Sequence, residues 1–234
     1  MMRLDKFISS NTSLSRSQAN KEIKAANVKV NGIVVTDGDC KIDENNAKVE
    51  HNGKQINYNQ FIYIMLNKPQ GVVSATTDTK QKTVLDLIPN EYKKYNLFPC
   101  GRLDKDTLGL VILTNNGQGA HRVLSPKNHV QKTYAFKCAE PLLNEDKQKI
   151  EDGILLKDGY VTKPCKIQLQ SPFCGIITLH EGKYHEIKRM FGAVSNKIVY
   201  LERISFGTIK LDTNLKRGEY RFLTEKEIAL FENK

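Results

Sequence analysis

The sequence has few cysteines and no long hydrophobic run. Its five cysteines are an odd number and no two form a C-x-x-C pair, so we predict neither a disulfide framework nor a structural zinc site. The longest apolar runs span six residues, as at 61–66, whereas a membrane-spanning helix needs about 20. A secretory signal, with its apolar segment of about 7–15 residues, is also missing from the N-terminus. We therefore expect a reduced, cytoplasmic protein with no membrane association.

Motifs for common cofactors are missing too. The sequence contains no G-x-x-x-x-G-K-[ST] phosphate loop, no G-x-G-x-x-G dinucleotide turn and no G-x-S-x-G nucleophile elbow. His180 and His185 are five residues apart, so on a helix they occupy different faces, unlike the zinc-binding H-E-x-x-H pattern. The sequence predicts no metal and no cofactor.

Positive charge, by contrast, is abundant. Lys and Arg number 36 against 26 Asp and Glu, which gives a net charge of +10. This surplus favours a polyanionic partner, although a basic protein without such a partner is an equally good interpretation. Only eight of the 36 cations are arginines, so arginine positions mark places where a planar guanidinium has a geometric use. They are Arg3, Arg16, Arg102, Arg122, Arg189, Arg203, Arg217 and Arg221.

The chain divides into two predicted domains, residues 1–58 with a linker and residues 59–234. The polar stretch 51–60 has few core-forming residues and indicates the linker. Before it, apolar spacing predicts one helix from Leu4 and a second over 16–26 with Ser15 as its N-cap. Asn31-Gly32 between short apolar runs predicts a hairpin. Cations on the second helix and the hairpin fit a phosphate backbone, although a solvated helix face is the commoner explanation.

The second part alternates strands and helices. Strands are predicted at 61–66, 110–114, 132–138, 166–169, 176–180 and 198–204, and helices at 142–150 and 185–193. Thr224 and Glu227 form a capping box that opens a terminal helix. This order favours an α+β domain on a mixed, largely antiparallel sheet with flanking helices over a doubly wound fold.

One polar loop stands out. Residues 101–110 place two glycines around Asp104, just before a strongly apolar strand. Arg102 and Lys105 flank this aspartate, so it is expected to be ionised at neutral pH and able to act as nucleophile or base at a sugar. From the local sequence alone, a turn aspartate that caps a backbone amide is the simpler interpretation.

The order of several motifs resembles known RNA-modifying proteins. RLDKF at 3–7, SRSQA at 15–19 and VKVNG at 28–32 resemble the S4 RNA-binding domain over roughly residues 2–48. This resemblance implies that structured RNA is bound. The implied contacts are Arg3, Lys6, Arg16, Lys21, Lys24 and Lys29.

GRLD at 101–104, with Thr107 and LTN at 113–115, resembles the catalytic motif of pseudouridine synthases. MLNKPQG at 65–71, KTY at 132–134, EGKYHEIKRMF at 181–191 and LKRGEYRFLT at 215–224 extend the resemblance over nearly the whole chain. It implies an isomerase that rotates a uridine out of its RNA stack, breaks the C1′–N1 bond, turns the uracil and joins C5 to C1′, with Asp104 as the essential carboxylate. No cofactor is implied.

The resemblance also implies roles for neighbouring residues. Tyr134 packs on the target base, although strand alternation equally allows it in the core. Lys188 or Arg189 pairs with Asp104, and only one of them faces it because consecutive helix residues point about 100° apart.

Three more residues complete the predicted site. Arg102 fills the space that the everted base leaves, while Lys68 and His185 shape the site or contact phosphate. Chain length and Tyr184-His185 favour the synthases that act on small-subunit 16S rRNA, either as naked RNA or in a partly assembled ribonucleoprotein. A monomer is expected. The alternatives are a 23S rRNA synthase, an S4-type assembly factor without catalysis and, less favoured, a DNA-binding protein.

Overall fold

The computed structural model describes residues 1–12, 14–56, 61–128 and 130–232. They form two compact units, Met1–Phe61 and Ile62–Lys234. The boundary predicted after residue 58 falls within 57–60, outside the described residues, and stays a prediction. Within the described ranges no helix is long and apolar enough to cross a bilayer.

Two helices pack on short strands in the first unit. The helices are α1 (Leu4–Asn11) and α2 (Arg16–Lys24), and the strands are β1 (Met2–Arg3), β2 (Val28–Val30), β3 (Ile33–Val34), β4 (Lys41–Ile42), β5 (Val49–His51) and β6 (Lys54–Ile56). Sheets form in the orders β1-β4 and β3-β2-β5-β6. Both helices bury one apolar face against the strands, and Phe7 and Ile23 are almost fully buried there.

The helix cap and the hairpin turn predicted in the first unit are both confirmed. The Ser15 hydroxyl accepts a hydrogen bond from the Gln18 amide, and the Gln18 side chain accepts one from the Ser15 amide, which caps α2. Asn31 and Gly32 both have positive φ, as a tight hairpin between β2 and β3 requires. The helix ends at Lys24 rather than at residue 26, because Ala26 adopts φ +61°.

The linker predicted over 51–60 is wrong for residues 51–56. His51 ends β5 and pairs with Lys54 at the start of β6, so this polar stretch is a hairpin of the first unit. Asn52 and Gly53 form its turn with φ of +51° and +75°. Polar residues are tolerated because these strands are short and half-exposed, while Ile56 alone supplies the buried contact of β6.

A nine-stranded sheet organises the second unit. Its strands are β7 (Tyr63–Lys68), β8 (Phe98–Cys100), β9 (Leu108–Thr114), β10 (Lys132–Cys138), β11 (Lys166–Ser171), β12 (Cys174–Leu179), β13 (Ile198–Phe206), β14 (Ile209–Lys210) and β15 (Tyr220–Phe222). The order is β11-β12-β10-β13-β9-β7-β15, with β14 on β13 and β8 on β9. β13 and β9 run parallel and the other paired strands of this sheet run antiparallel. The predicted mixed, largely antiparallel sheet is confirmed.

In the described part of this unit, four helices flank the sheet: α3 (Gly117–Leu124), α4 (Asn144–Asp152), α5 (Glu186–Ala193) and α6 (Glu225–Glu232). Short 3-10 helices occur at Val84–Leu87, Asn90–Tyr95 and Pro126–Asn128. The Glu227 carboxylate accepts the Thr224 amide at 2.8 Å, which confirms the capping box before α6. α5 presses Phe191 edge-on against Phe136 of β10, with ring centroids 5.0 Å apart.

Strand burial explains which strands are central. Every residue of β7 is buried, and β9 is buried from Gly109 onwards, as expected for strands covered on both faces. β10 matches its predicted bounds, and alternate residues from Lys132 to Cys138 are buried. The central strands therefore give the loop before β9 a rigid base.

Candidate active site

The loop between β8 and β9 is tied down by one buried lysine. Lys68, at the end of β7, is fully buried and its Nζ donates to the carbonyls of Thr107 at 2.7 Å, Pro69 at 3.1 Å and Lys105 at 3.2 Å. Burial lowers the pKa of Lys68 to about 8, against the opposing attraction of Asp106 and Asp104. These contacts fit the first of its two predicted roles, shaping the site.

Asp104 projects from this loop towards α5. Its Oδ2 accepts a hydrogen bond from Lys188 Nζ at 2.8 Å, and its Oδ1 lies 3.3 Å from His185 Nε2. The same ammonium also donates to Asp106 Oδ1 at 2.5 Å. Burial lowers the pKa of Lys188, but the hydrogen bonds that it donates to two carboxylates outweigh burial and raise the pKa above its usual value. Lys188 is therefore cationic at neutral pH and holds the Asp104 carboxylate in one orientation.

Arg189 points elsewhere. Its guanidinium pairs with Asp158 at 2.5 Å and donates to the Tyr184 carbonyl at 3.3 Å. α5 begins directly after His185, which adopts φ +50°, and this start sets the helical phase that turns Lys188 inward. Of the two predicted partners of Asp104, the structure brings only Lys188 to it, as the 100° step between neighbours requires.

Tyr134 lies both in the core and at the cleft, so its packing on the target base stays a prediction. It is 8% exposed and belongs to the hydrophobic core, yet it lines the cleft that contains Asp104. Burial raises the pKa of its phenol, so the ring stays neutral. Arg102 is exposed and lines the same cleft. The cleft thus combines an aromatic surface, a carboxylate and an exposed cation.

Two buried glutamates beside the cleft were missed by sequence reasoning. Glu181 accepts the Tyr160 hydroxyl at 2.6 Å and the Lys163 amide at 2.7 Å, and Glu186 accepts the Lys183 amide at 2.7 Å. Burial, and then the neighbouring Glu181, raise the pKa of Glu186 to about 8, so it keeps its proton at neutral pH. Burial opposes ionisation of Glu181, but its interaction with Glu186 and the hydrogen bonds from the Lys163 amide and the Tyr160 hydroxyl leave its pKa lowered. The only signal was that both glutamates belong to the 181–191 motif.

The predicted RNA contacts of the first unit fall into two groups, arginines that bind Asp5 and exposed lysines. Asp5 is buried and accepts hydrogen bonds from Arg3 at 2.8 Å and Arg16 at 3.0 Å. The bond from Arg3 is the main cause that lowers the pKa of Asp5 to about 2. Arg16 therefore joins α2 to α1 through Asp5, and Arg3 of β1 holds the same carboxylate.

The remaining predicted contacts are the exposed lysines Lys6, Lys21, Lys24 and Lys29. Lys21 and Lys24 line one groove with Arg3 and Arg16, whereas Lys6 lies on α1 and Lys29 on β2. In neither described unit do three His, Cys, Asp or Glu side chains converge as a metal site.

Comparisons with known proteins agree with this geometry. The family model described as RNA pseudouridylate synthase matches residues 62–193, and the S4 domain model matches residues 2–46. An uncharacterized RNA pseudouridine synthase of Bacillus subtilis is 44% identical over 98% of both chains. The ribosomal small subunit pseudouridine synthase A of Yersinia pestis is 42% identical over 97% of both chains, and that of Escherichia coli is 40% identical over 97% of this chain and 99% of its own.

A solved structure supports the same assignment. The crystal structure of a pseudouridylate synthase superposes with a TM-score of 0.70 and 39% identity, covering 99% of this chain and all of its own. Both the sequence and the fold therefore match over nearly the full length. The chain belongs to the RNA pseudouridylate synthase family and is an RNA pseudouridine synthase with an N-terminal S4 domain.

Proposed function

We propose that this enzyme isomerises one uridine of small-subunit 16S rRNA to pseudouridine, with Asp104 as its catalytic carboxylate. The observation that carries the proposal is the contact of Asp104 with Lys188 and His185 in a cleft that Tyr134 lines. The small-subunit substrate is supported by relatives with that name at 40–42% identity over nearly the whole chain.

The cleft suits a base that has left its stack. A uridine inside an RNA helix exposes its glycosidic bond poorly, so the nucleotide must rotate into the protein. Tyr134 offers an aromatic face for the uracil, and Arg102 at the cleft is placed to occupy the gap left in the RNA. Lys68 holds the loop carbonyls in position while this exchange takes place.

The chemistry then starts from the anionic oxygen of Asp104. Attack of this oxygen on C1′ and removal of a sugar proton are the two routes open to it, and both release N1 from C1′. The uracil turns in the cleft and C5 bonds to C1′, which releases the Asp104 oxygen on the first route and follows return of the removed proton to the sugar on the second. The proton on C5 is then lost and N1 gains one. Lys188 and His185 orient the carboxylate through its two oxygens. The product is an isomer of the substrate, so no group is imported.

Mapping of pseudouridine tests this proposal. The enzyme is incubated with 16S and 23S rRNA, each as deproteinised RNA and in partly assembled subunits, and modified positions are located by reverse transcription after carbodiimide treatment. We expect one site in 16S rRNA with the native enzyme, and a loss of about 10³-fold or more in rate with Asp104→Asn. Asp106→Asn is the matched control. Asp106 shares the Lys188 ammonium but is mostly exposed, so its replacement should lower the rate far less than that of Asp104.

Other outcomes point to the alternatives. Modification confined to 23S rRNA would show that the substrate assignment is wrong. Tight binding of 16S rRNA without product from the native enzyme would favour an assembly factor. Product formation by Asp104→Asn at the native rate would remove Asp104 from the chemistry.

We also propose that the enzyme works as a monomer in the cytoplasm, on rRNA or on a partly assembled subunit. The five cysteines are all unpaired, which suits a reducing compartment. Light scattering with and without the RNA substrate measures the number of chains per complex, and a stable dimer would contradict this part of the proposal.

A further inference from the structure

A second recess, of about 360 Å³, lies next to the cleft. The two cavities share Arg102, Tyr134 and Lys183 in their walls. Tyr134 of β10 lies directly opposite Arg203 of β13, so one strand pair forms part of the boundary between them. A nucleotide whose base occupies the cleft therefore has its sugar and phosphate close to the recess.

Two buried cations line the recess, and neither forms an ion pair with a carboxylate of the described residues. Arg203 is 2% exposed and Lys132 is 8% exposed. Arg203 Nε donates to the Leu110 carbonyl at 2.7 Å, and Lys132 Nζ donates to the Val130 carbonyl at 3.0 Å. Both cations lie over the ring of Phe206, at 5.4 and 5.6 Å from its centroid. Arg203 Nη2 is buried and lacks a hydrogen-bond partner among the described atoms.

This arrangement is costly without an anion. Burial lowers the pKa of Lys132, and the nearby positive charge of Arg203 lowers it further. A buried charge normally has a paired charge or a full set of hydrogen bonds, because desolvation otherwise disfavours it. Here two like charges are adjacent and one guanidinium nitrogen is unused.

The walls of the recess strengthen the positive field. Lys163, Lys183 and Arg102 also line it. Glu181 is the one carboxylate lining it in the described part of the chain, and its oxygens already accept the Tyr160 hydroxyl and the Lys163 amide. The recess therefore presents free donors and excess positive charge, which is the chemistry that recognises a phosphate oxygen.

We propose that this recess binds one phosphodiester of the substrate RNA beside the everted uridine, with Arg203 and Lys132 as its ligands. The inference rests on the proposed function, since it places the target base in the cleft. The planar guanidinium supplies the unused Nη2 donor and Lys132 supplies a second cation. Binding there draws the everted nucleotide's backbone into the protein and fixes its sugar near Asp104.

Neutral phosphate analogues test the inference. In the Asp104→Asn background, which separates binding from turnover, RNA fragments containing the mapped uridine carry a single methylphosphonate at each flanking position in turn. We expect one position to raise Kd about 10-fold. Lys132→Met should raise Kd for unmodified RNA by a similar factor and should respond less to that methylphosphonate than the native residue does, although Arg203 remains; this difference is the coupling that a double-mutant cycle measures. Lys166→Met, which replaces an exposed lysine of β11, should keep the native sensitivity.

An inorganic anion provides a test that needs no RNA. Phosphate replaces chloride at constant ionic strength, and thermal unfolding is followed for the full chain. We expect phosphate to raise the Tm of the native enzyme and of Lys166→Met by the same amount, and to raise that of Lys132→Met clearly less. Arg203→Lys keeps the positive charge but lacks the guanidinium, so phosphate should still raise its Tm by part of the native amount. A variant that responds to phosphate is folded, so this result distinguishes weakened binding from a disturbed fold.

The failures can be told apart. Product formation together with Kd values that no methylphosphonate alters would overturn the phosphodiester site and leave the proposed function intact. A Tm rise that is equal in the native enzyme and in Lys132→Met would also overturn it. A phosphate-dependent Tm shift without any pseudouridine in rRNA would mean that the recess binds free phosphate or another phosphate ester, and the phosphodiester assignment would be wrong.

Discussion

Asp104 and Asp106 share a single ammonium group. Lys188 Nζ lies 2.8 Å from the first carboxylate and 2.5 Å from the second, and these contacts keep it charged. The Asp104 side chain is one-quarter exposed, so its carboxylate would rotate if it contacted only water instead of Lys188. Preorganisation by a fixed cation is the kind of contribution that raises the rate of a chemical step.

Replacing Lys188 therefore tests the ion pair. We expect Lys188→Met to lower kcat by about 10²-fold or more, because the carboxylate loses its orienting partner. Arg189→Met is the matched control on the same helix turn, since its guanidinium pairs with Asp158 instead, and it should stay within a few-fold of the native rate. Single-turnover rates measure both. Equal losses in the two variants would contradict the assignment.

Glu186 gives the stability a specific pH dependence. Its pKa is about 8 in the folded protein, chiefly through burial, and ordinarily 4.5. The folded state thus binds a proton that the unfolded state releases, so this group makes stability fall as pH rises from about 4.5 to about 8. Above pH 8 the loss is complete and the contribution becomes constant.

Glu186→Gln replaces the carboxyl group with an amide that does not titrate, so the variant should lack this fall in stability with pH. We expect the variant and the native enzyme to have similar free energies of unfolding at pH 5, with the variant increasingly favoured up to pH 8 and the difference constant at pH 9. Urea unfolding at these values measures the difference. Glu225→Gln, at an exposed glutamate of α6, corrects for loss of a surface charge. A difference independent of pH would show that Glu186 is ionised throughout.

At the scale of elements, the parallel contact between β9 and β13 supports both cavities. Gly109 pairs with Arg203 in that register, and a Cβ at Gly109 would lie 2.4 Å from the Arg203 carbonyl oxygen. Gly109 also adopts φ +98°, which side-chain-bearing residues avoid. The strand that begins after the Asp104 loop and the strand that carries Arg203 meet at this point.

Gly109→Ala should therefore loosen the site by separating the strands. We expect a loss of about 3 kcal/mol or more in the free energy of unfolding, from the strained φ together with the clash. Gly159→Ala is the control: its φ is +84° but open space surrounds it, so only the conformational cost of about 1 kcal/mol applies. Urea unfolding compares them. Equal losses in the two variants would show that the expected clash of the added methyl group with the Arg203 carbonyl contributes nothing to the loss of stability.

The same strands show what sequence patterns can and cannot predict. Burial alternates along β10, so its bounds follow from period-2 hydrophobicity, and the Asn31-Gly32 hairpin follows from its need for positive φ. The hairpin at 51–56 was missed because its strands are mostly polar and their pairing depends on neighbours distant in sequence. Local signals define elements, whereas tertiary contacts decide marginal strands.

The candidate site divides in the same way. Asp104 is visible from its loop motif, but the choice between Lys188 and Arg189 depends on where α5 begins, which a few residues of uncertainty in a helix boundary would change. Arg203 was noticed only as one of eight arginines. Its place opposite Tyr134 comes from strand register, including an irregularity between Thr133 and Tyr134, and no sequence spacing reveals that.

At the scale of the whole molecule, a net charge of +10 predicts RNA binding that weakens with salt. Charge alone does not say which lysines meet phosphates. Arg3 and Arg16 are engaged by Asp5, so the exposed lysines of α2 and β2 are the freer candidates in the S4 domain. Replacement of matched sets of lysines separates a specific patch from total charge.

We expect the triple variant Lys21→Gln, Lys24→Gln, Lys29→Gln to reduce the slope of log Kd against log salt by about 1 for each phosphate that the S4 domain no longer neutralises, hence by about 2 to 3. The matched control changes Lys41, Lys48 and Lys54 to Gln, which are also exposed and lie in the same unit. It removes the same charge from other surfaces, so its slope should stay near the native value. Fluorescence anisotropy with a 16S rRNA fragment, at KCl concentrations from about 50 to about 300 mM, measures both slopes. Equal changes in the two triple variants would mean that net charge, rather than the α2 and β2 surface, determines how the S4 domain holds RNA.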